Sequence, residues 1–135
     1  MLVEKVCPYV LRGPRDSLEI LAFKHPLAGC QLVKGTLEPG ERVVDGALRE
    51  LAEEAGLVGT VGSGVSWSSL NIADGQLWHF VPVDVPPQPD HFAFFCADDG
   101  GHRFAFRWWP LRDGPGPDWH EIYRRALNEI RARQP

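Results

Sequence analysis

The sequence predicts an α/β fold, an α/β/α sandwich in which a mixed β-sheet carries helices packed on its two faces. Two segments repeat apolar residues at helical spacing, one over about 42–55 and the other over about 118–133. Strand-like segments precede each of them, and this order of elements is typical of a layered α/β domain. Because no linker of biased composition divides the chain, residues 1–135 are expected to form a single domain.

The composition is that of an ordinary globular protein with a slight excess of acid. Of the 135 residues, 44% are hydrophobic and 24% are charged, and the formal net charge is -4. This charge argues against binding to duplex nucleic acid, which normally requires a basic surface. The N-terminus lacks the pattern of a signal peptide, and no apolar run reaches the length of a membrane span. We therefore expect a cytoplasmic protein that acts away from membranes.

Cysteine usage points to the same compartment. The three cysteines, Cys7, Cys30 and Cys96, are odd in number and widely spaced, and they form no CxxC pair. This pattern disfavours a disulfide framework or a structural zinc site. We expect three buried free thiols.

The first third of the chain is expected to form three strands and then a helix. The strands are placed at 2–11, 17–25 and 30–37, separated by the turn signals RGPRD and PLAG. The helix at about 42–55 follows Pro39 and Gly40, and Gly56 lies where a left-handed glycine commonly ends a helix. Its apolar stripe comprises Val43, Val44, Ala47, Leu48, Leu51, Ala52 and Ala55.

The remainder is expected to form two hairpins and a final helix. VSWSSLNI and QLWHFVPVDV flank the turn ADG, and HFAFFCA and RFAFRWWPL flank DDGGH. The final helix is expected to begin near Asp118, with Glu121 as its capping-box partner. Its core-facing stripe comprises Trp119, Ile122, Tyr123, Ala126, Leu127 and Ile130.

Three carboxylates crowd the end of the first predicted helix. Glu50, Glu53 and Glu54 lie at spacings of three and four, which brings their side chains to one face and costs a few tenths of a kcal/mol for each like-charge pair. One interpretation is a solvated acidic face. The alternative is a site for a hard divalent cation, because Mg²⁺ prefers oxygen ligands and a cation would offset the repulsion. The glycine-containing loop KGTLEPGE before the helix favours the second interpretation, since such loops commonly bind ligands.

The segment GTLEPGERVVDGALRELAEEAGL, residues 35–57, resembles the signature of the Nudix hydrolases, GX5EX7REUXEEXGU with U aliphatic. Its seven fixed letters and its aliphatic positions are all matched, the fixed ones by Gly35, Glu41, Arg49, Glu50, Glu53, Glu54 and Gly56. At roughly 5–8% usage for each fixed letter, a chance match is on the order of 10⁻⁸ per starting position, so the resemblance is specific.

The resemblance implies a Nudix-type fold and hydrolysis of a diphosphate bond in a nucleoside diphosphate linked to another moiety, with Mg²⁺ or Mn²⁺ as cofactor. Carried over by position, Glu50, Glu53 and Glu54 would be catalytic and would hold the metal. A backbone carbonyl at Lys34 or Gly35 would add a ligand. The structural residues of the box would be Glu41 and Arg49, which are expected to pair, and Gly56.

Many members of the family carry a further glutamate downstream, whereas this chain has none between Glu54 and Glu121. Asp98 and Asp99 are the candidates for an additional ligand or base, and ordinary turn residues are the alternative reading of both. The weaker aspartate candidates are Asp74 and Asp90. The histidines that could serve as bases instead are His79, His91 and His102.

The residues before the box give a hint about the substrate. The sequence QLVKG resembles a Pro-Lys-Gly form found in hydrolases of dinucleoside polyphosphates and diphosphoinositol polyphosphates, although Val33 replaces the proline. Lys34, Lys24 and His25 are therefore candidates for phosphate contacts. A dinucleoside polyphosphate or another nucleotide is the substrate that this resemblance implies.

Two other functions stay open at this point. The first is a non-catalytic nucleotide-binding or regulatory module on the same fold, although such a module would tend to lose a metal-ligating glutamate, and none is lost. The second is isomerisation of an isoprenoid diphosphate, for which the chain offers no second active-site element. A homodimer through sheet edges or the 82–90 loop also stays open.

Overall fold

The structure is a computed structural model that describes residues 1–134, apart from the Asp99 side chain. Two helices of 13 residues are described, α1 (Val43–Ala55) and α2 (Glu121–Arg133). The strands are β1 (Val3–Tyr9), β2 (Leu11–Arg12), β3 (Glu19–His25), β4 (Gly29–Gln31), β5 (Gly35–Thr36), β6 (Thr60–Val61), β7 (Trp67–Ser69), β8 (Gln76–Asp84), β9 (His91–Cys96) and β10 (His102–Pro110).

The strands form two five-stranded sheets rather than the one sheet expected from the sequence. The first has the order β5-β1-β8-β6, with β7 also paired to β8, and it is mixed because β1 and β8 run parallel. The second has the order β2-β3-β10-β9, with β4 paired to β3, and all of its pairs are antiparallel. Both predicted hairpins are confirmed, as β7–β8 and β9–β10.

Both faces of the sheets are covered, because successive strand residues enter different cores. Val6 belongs to the core beneath α1, and its neighbour Cys7 belongs to the core beneath α2. The helices contribute Ala47, Leu51 and Ala55 to the first core and Tyr123, Ala126, Leu127 and Ile130 to the second. The predicted α/β/α sandwich is thereby confirmed.

Helix α1 ends where the sequence predicts. Gly56 adopts a left-handed conformation with φ of 68°, and its N–H donates to the carbonyl of Ala52. A side chain here would also collide with the ring of Phe94, since an ideal Cβ would lie 2.6 Å from Phe94 Cδ1. Glycine is therefore required both for backbone conformation and for packing.

The predicted strand at 30–37 is divided between the two sheets. Residues 29–31 pair with β3 in the second sheet, whereas residues 35 and 36 pair with β1 in the first. The intervening residues 32–34 cross from one sheet to the other, with Leu32 and Val33 buried. This crossing places Lys34 and Gly35 directly against helix α1.

The predicted start of the final helix at Asp118 is wrong. The helix begins at Glu121, and His120 caps it by accepting a hydrogen bond at Nδ1 from the N–H of Ile122. The Asp118 carbonyl instead accepts from the N–H of Cys30, and the N–H of His120 donates to the Cys30 carbonyl. Because these bonds hold residues 118–120 beside β4, the Asp118–Glu121 capping box does not form.

The three cysteines are free and buried, as the sequence predicts. No helix among residues 1–134 is long and apolar enough to cross a lipid bilayer.

Candidate active site

A cavity of about 620 Å³ opens between helix α1, the crossing segment and the start of α2. Two of the three predicted glutamates, Glu50 and Glu54, line it together with Gly35 and Lys34. His25, a candidate for a phosphate contact, and Asp98, a candidate for a further ligand or base, also line the cavity. The structure thus brings three fixed letters of the box, Gly35, Glu50 and Glu54, and residues from distant strands to one cavity.

The carboxylate of Glu50 packs directly against Gly35. Glu50 is 6% exposed, and a Cβ placed at residue 35 would collide with its carboxyl group. Glu50 Oε1 accepts a hydrogen bond of 2.8 Å from Arg49 Nη1. Burial raises the pKa of Glu50, although the neighbouring Arg49 cation opposes this. A glycine at 35 therefore makes room for the acid at the cavity wall.

Glu54 is the most perturbed acid of the cavity. Its Oε1 accepts a hydrogen bond of 3.2 Å from the backbone N–H of Lys34. Burial raises the pKa of Glu54 to about 8, and the negative charge of Glu50 adds to the effect. Two acids whose pKa values are both raised thus share one cavity, which is an arrangement common at functional sites.

Glu53 does not line the cavity with Glu50 and Glu54. It is exposed, and its Oε2 accepts a 3.2 Å hydrogen bond from Arg49 Nη1. Helix geometry explains the separation, because at 3.6 residues per turn Glu54 lies about 40° to one side of Glu50 and Glu53 about 60° to the other. Glu53 therefore lies beside Glu50, since both accept from Arg49 Nη1, but it lies outside the cavity lining that Glu50 and Glu54 share.

Arg49 connects helix α1 to the loop that precedes it. Its Nε and Nη2 donate to the two oxygens of Glu41 at 2.8 and 3.0 Å, and Nη2 also donates to the carbonyl of Thr36 at 3.1 Å. Glu41 Oε1 also accepts from the N–H of Glu38, and these hydrogen bonds lower the pKa of Glu41 to about 2. The contact expected between Glu41 and Arg49 is present, and it ties the loop to the helix.

The other candidates divide between the cavity and the outside. His25 and Lys24 are neighbours on β3, so their side chains point to opposite faces. Lys24 does not line the cavity, and its Nζ lies 3.7 Å from Asp118. The Asp99 side chain lies outside the described part of the structure.

Most of the weaker candidates also lie elsewhere. Asp90 accepts from Arg12 at 2.7 Å, and Asp74 lines a different groove. The ring of His79 is hydrogen-bonded to Ser68 and Glu4, and His91 is exposed on β9. His102 alone among these lines the cavity, with its ring centroid 4.7 Å from that of His25.

Several lining residues were missed by the sequence analysis, among them Lys5, Thr36, His120 and Tyr123. Lys5 reaches the cavity because β1 pairs with β5, which sets it opposite Thr36, and its Nζ donates to Thr36 Oγ1 at 2.7 Å. No local sequence signal marks these residues, since pairing of distant strands and docking of α2 bring them here. None of the tryptophans in the described chain lines the cavity.

A family model described as NUDIX domain matches residues 6–129. The chain belongs to the Nudix family. Family membership supports its assignment as a hydrolase of pyrophosphate bonds. A comparison with curated proteins finds no match.

Solved Nudix structures share the fold at low sequence identity. An Ap4A hydrolase from C. elegans, in a binary complex, has a TM-score of 0.62 and 19% identity, covering 97% of this chain and 96% of that one. An ADP-ribose pyrophosphatase from Streptococcus suis has a TM-score of 0.63 and 15% identity, covering 98% and 93%. A NUDIX hydrolase from Nitrosomonas europaea has a TM-score of 0.60 and 20% identity, covering 99% and 74%.

Nudix enzymes generally use divalent metal ions, and the donors in the cavity fit such an ion by their chemistry. Glu50 and Glu54 supply carboxylate oxygens, which hard cations prefer. Burial raises the pKa of both acids, and a bound cation would favour their ionised forms. Within the described residues, however, no three His, Cys, Asp or Glu side chains are already grouped to hold a metal.

Proposed function

We propose that this Nudix chain is a divalent-cation-dependent pyrophosphohydrolase that cleaves a diphosphate bond in a nucleoside diphosphate linked to another moiety. The observation that carries the proposal is the meeting of Glu50 and Glu54 in one cavity with Lys34 and Lys5 on its walls. The acids fit a cation, and the lysines fit the anionic phosphates. The box positions these groups, because Arg49 fixes its loop to helix α1.

The proposed roles follow the placement of each group. Glu50 and Glu54 would hold Mg²⁺ or Mn²⁺ with a backbone carbonyl at Lys34 or Gly35, and Glu53, from the outer side, is proposed as a further ligand. When bound, the cation supplies charge stabilisation for phosphate oxygens and lowers the pKa of a bound water.

The chain's own contribution is binding, orientation and proton transfer. Lys34 and Lys5 line the cavity and are proposed to orient the phosphate chain. Burial lowers the pKa of the Lys34 ammonium. Glu54 is proposed to accept a proton from the attacking water, because the cation that it would hold favours the ionised carboxylate against the rise in pKa that burial causes. Asp98, which also lines the cavity, is the proposed downstream carboxylate.

The substrate class is proposed to be a nucleotide with an extended phosphate chain, such as a dinucleoside polyphosphate. Two lysines and three histidines, His25, His102 and His120, line the cavity and suit a polyanion. An Ap4A hydrolase is among the structures that share the fold, which agrees with this proposal but does not distinguish it from ADP-ribose.

The test is cleavage of a substrate panel with Mg²⁺ and with Mn²⁺, measured by chromatography as the two phosphorylated products that hydrolysis of the diphosphate bond leaves. The panel contains dinucleoside polyphosphates, ADP-ribose, nucleotide sugars, nucleoside triphosphates and capped RNA. The Glu54→Gln variant should lose about 10²- to 10⁴-fold in kcat, the usual contribution of a positioned acid or base. The control is Glu129→Gln, since Glu129 lies on α2 and accepts a hydrogen bond from Ser69, away from the cavity.

Two outcomes would contradict the proposal. Full turnover by Glu54→Gln would remove this residue from the chemistry. Binding of a nucleotide without cleavage of its diphosphate bond under either metal would favour the non-catalytic module instead.

A further inference from the structure

The ammonium of Lys34 lies in a corner between two aromatic rings, those of Trp78 and Tyr123. Lys34 Nζ is 5.8 Å from the ring centroid of Trp78 and 5.9 Å from that of Tyr123. The planes of the two rings meet at 71°, with their centroids 6.0 Å apart. A cation within about 6 Å of an aromatic face is attracted by the electron-rich face of the ring. Both rings therefore attract the same ammonium.

The fold fixes both rings of this aromatic corner. Trp78 on β8 is fully buried, and its Nε1 donates to Gln76 Oε1 at 2.7 Å. Tyr123 on α2 is 5% exposed and lines the cavity. Because a strand and a helix hold the two rings in place, the corner is preorganised to receive the ammonium, and little entropy is lost when it does so.

Lys34 lies beside the acids of the cavity without forming an ion pair with them. Its backbone N–H donates to Glu54 Oε1 at 3.2 Å, so that carboxylate is close to the residue. Among the described residues, however, the one ion pair of Glu50 is with Arg49, and Glu54 has none. The stem of a lysine is long and flexible, so the ammonium can turn toward Glu54. The aromatic corner supplies the attraction that holds it elsewhere.

An ion pair between Lys34 and Glu54 would oppose the binding of a divalent cation. The ammonium would occupy carboxylate oxygens that the cation needs as ligands, and its positive charge would repel the cation. An ammonium held by the two rings avoids this competition, and Lys34 stays on the cavity wall.

We propose that Trp78 and Tyr123 are positioning residues, which hold the Lys34 ammonium away from Glu54 and so keep this carboxylate available to the divalent cation. The proposal rests on the proposed function, because it takes Glu54 as a ligand of the cation. Both rings act through Lys34 and are assigned no contact with the cation.

The first experiment is a titration of the whole chain with Mn²⁺ at one fixed pH, with free Mn²⁺ measured by electron paramagnetic resonance. Tyr123→Leu removes one ring face and should weaken Mn²⁺ binding about fivefold, the factor expected from one cation–π contact. Tyr123→Phe keeps the ring face and should retain the wild-type affinity. In a Lys34→Met background the ammonium is absent, so Tyr123→Leu should change the dissociation constant by less than about twofold.

Tyr9→Leu is the matched control for the loss of packing. Tyr9 is also 5% exposed and belongs to the same core as Tyr123, but it does not line the cavity. This variant should bind Mn²⁺ as the wild type does, and thermal unfolding establishes that each variant is folded. Wild-type affinity in Tyr123→Leu, or an equal loss in the Lys34→Met background, would overturn the proposal.

A second measurement, on the unaltered chain, does not depend on whether Tyr123→Leu folds. The chain has three lysines, Lys5, Lys24 and Lys34, so labelling of lysine Cε with ¹³C gives one NMR signal for each. Protons over an aromatic face are shifted upfield by the ring current. The ε-protons of Lys34, assigned with Lys34→Met, should therefore lie upfield of those of Lys24, whose Nζ is 3.7 Å from Asp118. Equal shifts for Lys34 and Lys24 would overturn the proposal.

These results are separate from the result for hydrolysis. A protein that cleaves its substrate and binds Mn²⁺ equally well with and without the Tyr123 ring would keep the proposed function and lose this inference. A protein that shows the lysine-dependent loss of Mn²⁺ affinity but cleaves nothing would keep this inference and lose the proposed activity.

Discussion

The guanidinium of Arg49 donates two hydrogen bonds to the carboxylate of Glu41, from Nε at 2.8 Å and from Nη2 at 3.0 Å. The same side chain donates to Glu50, the buried acid of the cavity, at 2.8 Å. Loop, helix and cavity are therefore joined through one planar cation. Charge-assisted bonds of this bidentate kind are strong and directional.

Replacement of Arg49 should destabilise the protein in proportion to the bonds that are lost. Arg49→Ala leaves several acids without their cation and should cost roughly 2–4 kcal/mol of unfolding free energy. Arg49→Lys keeps the charge but not the fork, so it should cost less. Urea denaturation measures both. Arg42→Lys is the control, since within the described residues the one ion pair of Arg42 is with the exposed Asp45. A midpoint shifted as far as that of Arg49→Lys would refute the assignment.

A side chain at residue 35 should disable the site through Glu50. Gly35→Ala places a Cβ where the Glu50 carboxyl group lies, and the acid must move because its end is the more mobile partner. We expect a large loss of hydrolytic activity with a small loss of stability, on the order of 1 kcal/mol. In a Glu50→Gln background the carboxylate is already gone, so Gly35→Ala should add little to the loss of activity. Additive losses would show that Gly35 acts independently of Glu50.

Gly56 should be more sensitive to substitution than another glycine with the same backbone conformation. Gly56→Ala meets the ring of Phe94, whereas Gly75→Ala, at φ of 72°, has no atom within 4 Å. The conformational cost of roughly 1–2 kcal/mol is common to both, so the excess for Gly56→Ala measures the collision. Thermal unfolding compares them, and Phe94→Ala should reduce the excess. Equal costs at the two positions would exclude a role for the ring.

Glu54 should make the metal-free protein less stable as the pH rises. Burial raises its pKa from the ordinary 4.5 to about 8. Between these values the native state retains a proton that the unfolded chain has released, so the free energy of unfolding falls across this window. At about 1.4 kcal/mol per pH unit, the total effect is a few kcal/mol.

The pH effect is measured as thermal unfolding in a chelator from about pH 5 to about pH 8. Glu54→Gln should flatten the dependence, and Glu129→Gln should preserve it. Addition of Mg²⁺ should restore stability mainly at the upper end, because the cation binds the ionised acid. A slope in Glu54→Gln equal to that of the wild type would assign the titration to another group.

The elements that depend on neighbouring residues were well predicted from the sequence. The apolar period of α1 and its terminal glycine are local features, so the helix ends at Ala55 as expected. The same locality misled the analysis at the second helix. Asp118 and Glu121 have the spacing of a capping box, but hydrogen bonds with Cys30, which is 88 residues away, occupy residues 118–120 instead.

The candidate site was predicted partly from the box and partly from candidates outside it, since Lys34, His25 and Asp98 also line the cavity. Glu50, Glu54 and Gly35 were identified and do meet, whereas Glu53 and Lys24 do not line the cavity. Lys5, Thr36 and His120 were not identified. They come from separate segments, so no spacing along the chain marks their proximity.

The periodic apolar residues and the complete box predicted the family, the two helices and the glutamates of the cavity. Each of these features depends on spacings shorter than about two dozen residues. The division of residues 30–37 between two sheets and the positions of Lys5 and His120 on the cavity wall required the folded chain. These features arise from pairings between distant strands and from the hydrogen bonds that hold residues 118–120 beside β4. Such contacts are chosen by the free energy of the whole packed core, to which no local pattern corresponds.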